Sequence, residues 1–212
     1  MKTGILWDLD GTLLDTLEDL TDAVNYALSV YDLPPRTIGE VRRFVGNGAG
    51  LLISRAVEGR AEEKAVLETF RNYYNAHCRC KTRPYPGIPE ALEALGQKYP
   101  MAIASNKPDS AVKALCADYF PGIYALGEVA GCPRKPAADM VEKAMAAIGA
   151  ETCVYVGDSE VDVQTANNAG VLCLSVLWGF RDRDVLEQAG AEHFCETAEE
   201  LEKVIEELIH GK

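Results

Sequence analysis

The chain has 212 residues, 48% hydrophobic and 25% charged, ordinary usage for one globular domain or one core with a smaller insert; this excludes disordered, collagenous and low-complexity classes. Lysine and arginine number 21 against 33 aspartates and glutamates, a net charge of −12. No basic face for nucleic acid is expected, and anionic lipid is repelled. No apolar run approaches the ~18–20 residues that span a bilayer. The stretch Met1-Lys2-Thr3-Gly4-Ile5-Leu6-Trp7-Asp8 meets a carboxylate too early for a secretory signal, which predicts a cytoplasmic protein without nucleic-acid or membrane partners, as monomer or homodimer. The seven cysteines are odd in number and irregularly spaced, so reduced thiols are expected. His77-Cys78-x-Cys80 is metal-like, but no second His/Cys pair stands at zinc-finger distance.

In chain order, residues 4–9 are a short apolar run of the kind that forms a buried parallel strand. Residues 15–83 then read as helical throughout. Leu17, Leu20, Val24, Ala27, Leu28 and Tyr31 fall at helical spacing, and Pro34-Pro35 stops that helix. Thr37-x-x-Glu40 is a capping-box pattern opening the next. Gly46-Asn47-Gly48 breaks it, helical stretches follow at 51–57 and 61–76, and Pro84-Tyr85-Pro86-Gly87 marks the end of the insert. From there strands at 101–105, 123–126, 153–156 and 171–176 alternate with helices at 89–98, 110–118, 139–148, 161–169 and 198–209. The pattern predicts an α/β fold: a doubly wound, mostly parallel, Rossmann-like sheet with an inserted α-helical cap domain. The core is expected at 1–14 and 84–212, the cap at 15–83. Ligands bind beyond the carboxyl ends of such strands, so an insert leaving the end of the first strand should overhang the site as a lid.

Four segments carry candidate chemistry. Asp8-Leu9-Asp10-Gly11-Thr12 ends the first strand; residues two apart in extended chain share a face, so Asp8 and Asp10 converge and require a cation, a shared proton or both. Gly157-Asp158-Ser159-Glu160-Val161-Asp162 follows another strand. Alone it reads equally as a helix start with acids in its first turn; with Asp8 and Asp10 it makes an all-oxygen site suited to Mg²⁺. Ser105-Asn106-Lys107-Pro108 ends a third strand and suits a phosphate, although alone it is an ordinary cap. Lys135, in Arg134-Lys135-Pro136, could hold a nucleophilic carboxylate ionised or neutralise a phosphoryl group.

In this order the segments resemble the four motifs of the haloacid dehalogenase-like hydrolase superfamily: Asp8-x-Asp10-Gly11-Thr12, Ser105, Lys135 and Gly157-Asp158-x-x-x-Asp162. The resemblance covers essentially the whole chain, with a helical cap between the first two motifs. Asp15-Thr16-Leu17-Glu18-Asp19-Leu20, Val45-Gly46-Asn47-Gly48-Ala49, Tyr85-Pro86-Gly87 and Ser105-Asn106-Lys107-Pro108 are similar to the phosphoglycolate phosphatase branch. So is Tyr155-Val156-Gly157-Asp158-Ser159-Glu160-Val161-Asp162. Trp7 departs from the usual Phe, and Lys135-Pro136-Ala137-Ala138 lacks a second Pro; both lie outside the chemistry but weaken the claim to one substrate.

The resemblance implies a Mg²⁺-dependent phosphomonoester hydrolase acting on a small phosphorylated metabolite such as 2-phosphoglycolate. It implies Asp8 as nucleophile, Asp10 as acid and base, and Lys135 as the cation of the site. Metal ligands would be the Asp8 carboxylate, the Asp10 carbonyl and Asp158, oriented from behind by Asp162. Gly11, Thr12, Ser105, Asn106 and Lys135 would bind phosphate. Thr16, Arg43, Gly46, Asn47, Gly48 and Lys107 are the candidates for substrate specificity. Asp10 and Asp158 argue against a dehalogenase. Lys64 and Lys81, the lysines of the insert, lie away from the glycine loop where a phosphonatase would place a Schiff-base lysine. Asn47-Gly48-Ala49 and Glu18-Asp19-Leu20 stand where a β-phosphoglucomutase would show Arg and His. A pyrophosphate, nucleotide or sugar-phosphate substrate stays open, as does a catalytically silent binding protein of the same fold, although Asp8, Asp10, Lys135 and Asp158 are all present.

Overall fold

The computed structural model describes residues 2–211; Met1 and Lys212, the outermost positions of the expected core, lie outside the described residues. Strand β1 (Thr3–Trp7) is buried on both faces, with Ile5, Leu6 and Trp7 fully inaccessible, which is why it reads as a continuous apolar run. The chain turns at Gly11, where φ is +86°, forms β2 (Leu14–Asp15) and enters four helices: α1 (Leu17–Val30), α2 (Ile38–Phe44), α3 (Gly48–Val57) and α4 (Glu63–His77). It returns through β3 (Arg83–Pro84), antiparallel to β2. The helical insert therefore leaves and re-enters through one two-stranded ribbon. Strand–helix alternation follows: α5 (Ile88–Gly96), β4 (Met101–Pro108), α6 (Asp109–Tyr119), β5 (Tyr124–Glu128), α7 (Asp139–Ile148) and β6 (Thr152–Gly157). The chain closes with α8 (Glu160–Ala169), β7 (Leu172–Val176), α9 (Arg183–Gln188), β8 (Phe194–Cys195), a 3₁₀ turn at Ala198–Glu200 and α10 (Leu201–His210).

The six main strands lie in the order β5-β4-β1-β6-β7-β8, every pair parallel. From β1 the chain moves outward through β4 and β5, then returns to lay β6, β7 and β8 on the other side. The reversal beside β1 opens a crevice at the carboxyl ends of β1, β4 and β6. Alternation along β1 sends Ile5 and Trp7 to one core layer and Leu6, with Ala102, Tyr155 and Met140, to the other. The first layer continues into the insert through Leu20, Val24, Ile53, Val66 and Phe70, so the cap helices share one apolar core with the sheet.

Local chemistry accounts for the insert. The capping box forms as its residues predict: Glu40 N–H donates to the Thr37 hydroxyl (3.3 Å) and Thr37 N–H to the Glu40 carboxylate (2.8 Å). Buried Asp19 ties the two ends of the insert together, accepting from Lys81 N–H (3.0 Å), Thr82 N–H (2.9 Å) and the Thr82 hydroxyl (2.9 Å). Helix α3 starts at Gly48 rather than at 51, because the positive φ of Gly48 (+81°) makes the turn that aims the chain into the helix. Strand β4 runs on to Pro108, with an irregular register against β5 after Ala104. The short elements α9 and β8 lie in a stretch with no usable period. Among the described residues no helix is long and apolar enough to cross a membrane, and all seven cysteines are free thiols.

Candidate active site

Asp8 is the first residue beyond β1, held by its N–H to Val156 O at 2.8 Å. Lys135 enters from the loop before α7. Its backbone is pinned by Asn106, whose Oδ1 accepts from Lys135 N–H (2.8 Å) while Nδ2 donates to Lys135 O (2.9 Å). The Lys135 ammonium donates to Asp8 Oδ1, Asp162 Oδ1 and the Tyr155 hydroxyl, each at 2.8 Å. An ammonium has three protons, so all three are taken. The Tyr155 hydroxyl in turn donates to Ala104 O at 3.2 Å.

Asp158 follows β6, and its Oδ2 accepts the Phe180 N–H at 2.6 Å while Oδ1 accepts from the Thr12 hydroxyl at 3.2 Å. Asp162 lies in the first turn of α8, where its Oδ2 accepts from Ser159 N–H (3.1 Å) and the Ser159 hydroxyl (2.6 Å). Asp8, Asp158 and Asp162 are buried and bring one oxygen each within 4.8 Å of one another. Burial lifts the Asp8 carboxyl from 3.8 to about 7 against the pull of Lys135. Burial, then the neighbouring Asp162 and Asp8, raise Asp158 well above the usual carboxylate range. Three carboxylates facing one ammonium leave negative charge uncompensated, and the donors are all oxygen; both features fit a hard divalent cation. One oxygen of Asp162 accepts the Lys135 ammonium and the other accepts from Ser159, so Asp162 orients Lys135, while Asp8 and Asp158 could hold the metal.

Asp10 points away from this cluster. Its Oδ1 accepts the Thr16 hydroxyl at 2.6 Å and lies 3.0 Å from Lys107 Nζ. Lys107 is buried, and its ammonium also donates to the Tyr74 hydroxyl of α4 at 2.8 Å. Burial opposes its charge most strongly of any one influence, but Asp10 and Tyr74 together outweigh burial and its pKa sits above the ordinary lysine value. A cavity of about 600 Å³, mouth included, joins the two halves of the site. Asp8, Asp10, Ser105, Asn106, Lys107, Lys135 and Asp158 line its core side, and Leu20, Val45, Gly46, Gly48, Ala49, Leu52, Phe70 and Tyr74 its cap side.

The structure thus gathers Asp8, Asp10, Ser105, Asn106, Lys107, Lys135, Asp158, Gly46 and Gly48 around one cavity. Arg43 is exposed and, like Asn47, does not contribute to the lining; α2 carries the Arg43 side chain outward. Thr16 acts on Asp10 rather than facing the cavity. Gly11 N–H is given to Leu14 O (2.9 Å) and the Thr12 hydroxyl to Asp158, so neither group is open to a phosphate. His77, Cys78 and Cys80 do not come together as ligands: His77 stacks on Tyr73 at 4.0 Å, Cys78 is buried and Cys80 exposed.

Sequence reasoning missed Tyr74, Tyr155 and the loop Trp178-Gly179-Phe180-Arg181. Trp178 Nε1 donates to Thr12 O at 3.0 Å. The Arg181 guanidinium holds the cap, donating to Arg42 O (2.8 Å) and Val45 O (2.6 Å), with Glu160 as its counter-ion (2.7 Å). Arg42 answers with a bond to Gly179 O at 3.2 Å. The available signal was position: the loop follows strand 171–176 at the same sheet edge as the motifs.

An inserted helical cap over a parallel sheet, with carboxylates at two strand ends and a lysine between them, defines a hydrolase of the haloacid dehalogenase type. Residues 5–176 match the haloacid dehalogenase-like hydrolase family, and the chain belongs to it. It is similar to phosphoglycolate phosphatase 1 of Pseudomonas aeruginosa, with 36% identity over 200 residues, 87% of this chain and 73% of that one. It is also similar to the phosphoglycolate phosphatase of Mesorhizobium japonicum, with 34% identity over 97% of this chain and 98% of the relative. A crystal structure from Lactobacillus delbrueckii subsp. bulgaricus, whose name carries the phosphoglycolate phosphatase assignment as provisional, superposes with a TM-score of 0.89 at 37% identity, covering 97% of this chain and 99% of that one. Within the family the chain is a phosphatase of the phosphoglycolate phosphatase-like branch.

Proposed function

We propose that the chain is a Mg²⁺-dependent phosphomonoester hydrolase that works through an aspartyl-phosphate on Asp8, with 2-phosphoglycolate or a similar small phosphorylated metabolite as substrate. The observation that carries the reading is the buried Asp8–Lys135–Asp158–Asp162 cluster, whose excess negative charge calls for a divalent cation. Asp8 and Asp158 would hold Mg²⁺, which when bound polarises a phosphoryl oxygen and neutralises charge at the site. Lys135, fixed by Asn106, Tyr155 and Asp162, aims Asp8 and favours its ionised form, and a bound cation would complete the ionisation. In the first step an Asp8 oxygen bonds to phosphorus as the bond to the leaving oxygen breaks, and Asp10 gives that oxygen its proton. In the second, water attacks phosphorus, Asp10 takes the water proton, and the Asp8–phosphorus bond breaks to restore the carboxylate. Oδ1 of Asp10 is held by Thr16 and Lys107, which leaves Oδ2 for these transfers. Ser105, on the cavity wall, would bind the phosphoryl oxygens. The cap side chains that line the outer side of the cavity suit a small leaving group.

Phosphate release from a panel of phosphorylated metabolites, with Mg²⁺ and with EDTA, tests the reading. The expected result is Mg²⁺-dependent turnover with 2-phosphoglycolate ranked above sugar phosphates and nucleoside monophosphates. A ranking no better than that of simple alkyl phosphates, or turnover indifferent to EDTA, overturns it.

A further inference from the structure

We infer that Lys107 and Tyr74 together form the subsite that reads the leaving group, and that its ligand is a carboxylate attached to the carbon that bears the ester oxygen. The inference rests on the phosphatase reading and deepens it. Among the described residues only two cationic side chains line the cavity, Lys107 and Lys135. Lys135 has its three protons placed on Asp8, Asp162 and Tyr155. Lys107 gives one to Asp10 and one to Tyr74, so its third N–H is the one cationic donor left for a ligand.

Position selects the ligand. Lys107 Nζ lies 3.0 Å from the carboxylate of Asp10, the group that protonates the leaving oxygen. An anion bound to Lys107 therefore sits beside that oxygen, as in the ester of a 2-hydroxycarboxylate; a charge several bonds further away, as in a sugar or nucleoside, falls outside its reach. On the cap side the wall beside Tyr74 is apolar, with Leu20, Leu52 and Phe70, and strengthens a charge-assisted bond by excluding water. Gly48 and Ala49, the first turn of α3, line the same wall, and the Asn47 side chain does not cap them, so this helix start adds to the attraction for an anion. Tyr74 comes from the cap and Lys107 from the core. Phe70 stacks on the Tyr74 ring at 5.5 Å and orients it. The subsite is complete only with the cap seated, which couples recognition of the carboxylate to closure.

Binding tests this independently of turnover. 3-Phosphonopropionate, the carbon analogue of 2-phosphoglycolate, and propylphosphonate, which lacks the carboxylate, are titrated calorimetrically into the Mg²⁺-loaded protein and its Lys107→Gln and Tyr74→Phe variants. The wild type should bind the carboxylated analogue about tenfold or more tightly than propylphosphonate, a preference of the size a charge-assisted bond supplies. Lys107→Gln should reduce the preference to about twofold or less, and Tyr74→Phe, which keeps the ring and the fold, should lower it about three- to fivefold. A wild type with no preference, or a preference surviving in both variants, overturns the subsite. If the preference behaves as expected while 2-phosphoglycolate is not hydrolysed, the subsite stands and the proposed substrate falls. If 2-phosphoglycolate is hydrolysed while both variants keep the preference, the substrate stands and the subsite falls.

Discussion

The Lys135 ammonium lies 2.8 Å from Asp8 Oδ1, joining groups 127 positions apart in the chain. The pair is buried, and attraction to one lysine does not offset the burial of Asp8 together with its acidic neighbours, so the Asp8 carboxyl remains lifted to about 7. The metal-free site is therefore a place where function costs stability.

Asp8→Asn should lower kcat by on the order of 10⁴-fold, because an amide does not form the acyl phosphate. It should also change the pH dependence of stability. The folded-state value of Asp8 lies above its ordinary 3.8, so its contribution to stability is complete below about pH 4 and is lost as pH rises through about 7. The neutral amide has no such loss. Melting temperatures in EDTA should show the advantage of Asp8→Asn over wild type growing from about pH 4 to about pH 8. A constant difference would mean that Asp8 carries no burial cost.

Asp158→Ala should raise the Mg²⁺ concentration for half-maximal activity by about tenfold or more and raise the melting temperature in EDTA by relieving repulsion with Asp8 and Asp162. An unchanged Mg²⁺ titration would remove Asp158 from the metal site.

Thr16→Val keeps shape but deletes the 2.6 Å donor to Asp10 Oδ1. An unanchored acid transfers its proton less well, so kcat should fall about tenfold with KM within about twofold. Steady-state kinetics in which KM carries the change instead would place Thr16 in substrate binding.

Gly179→Ala should be destabilising, because a methyl group there would overlap Asp158 and the Gly11 carbonyl oxygen. A cost of about 1–3 kcal/mol is expected, with weaker Mg²⁺ activation as Asp158 is displaced. Gly50→Ala is the control: it lies in α3 with nothing within 4 Å of an added Cβ, and should be neutral or stabilising by up to about 1 kcal/mol. Equal melting temperatures for the two variants would contradict the packing around Gly179.

The parallel sheet and the helical insert were legible in the sequence because both depend on local period: apolar runs such as 153–156 for buried strands, and the spacing of Leu20, Val24 and Leu28 for a helix. The carboxylate site was legible because its acids stand at the ends of such strands. Local pattern also led to α3 being begun late, since Gly48 reads as a breaker until its positive φ is seen to open the helix.

What the chain order could not decide is where side chains from distant segments meet. Arg43 and Lys107 are both cations near the motifs, yet α2 turns Arg43 to solvent and β4 carries Lys107 inward to Asp10 and Tyr74. Asn106 sits in a phosphate-like motif, and the fold directs its amide to the backbone of Lys135. Tyr155 reads only as one more residue of its strand and Arg181 carries no periodic signal; they matter because the sheet order sets β6 beside β1 and the loop after β7 against α2. Sequence by itself determined which residues could do chemistry, since that follows from residue type and local spacing. Tertiary structure alone decided which of them share protons, because a hydrogen bond depends on separations of a few ångströms that only the packing of the whole chain determines.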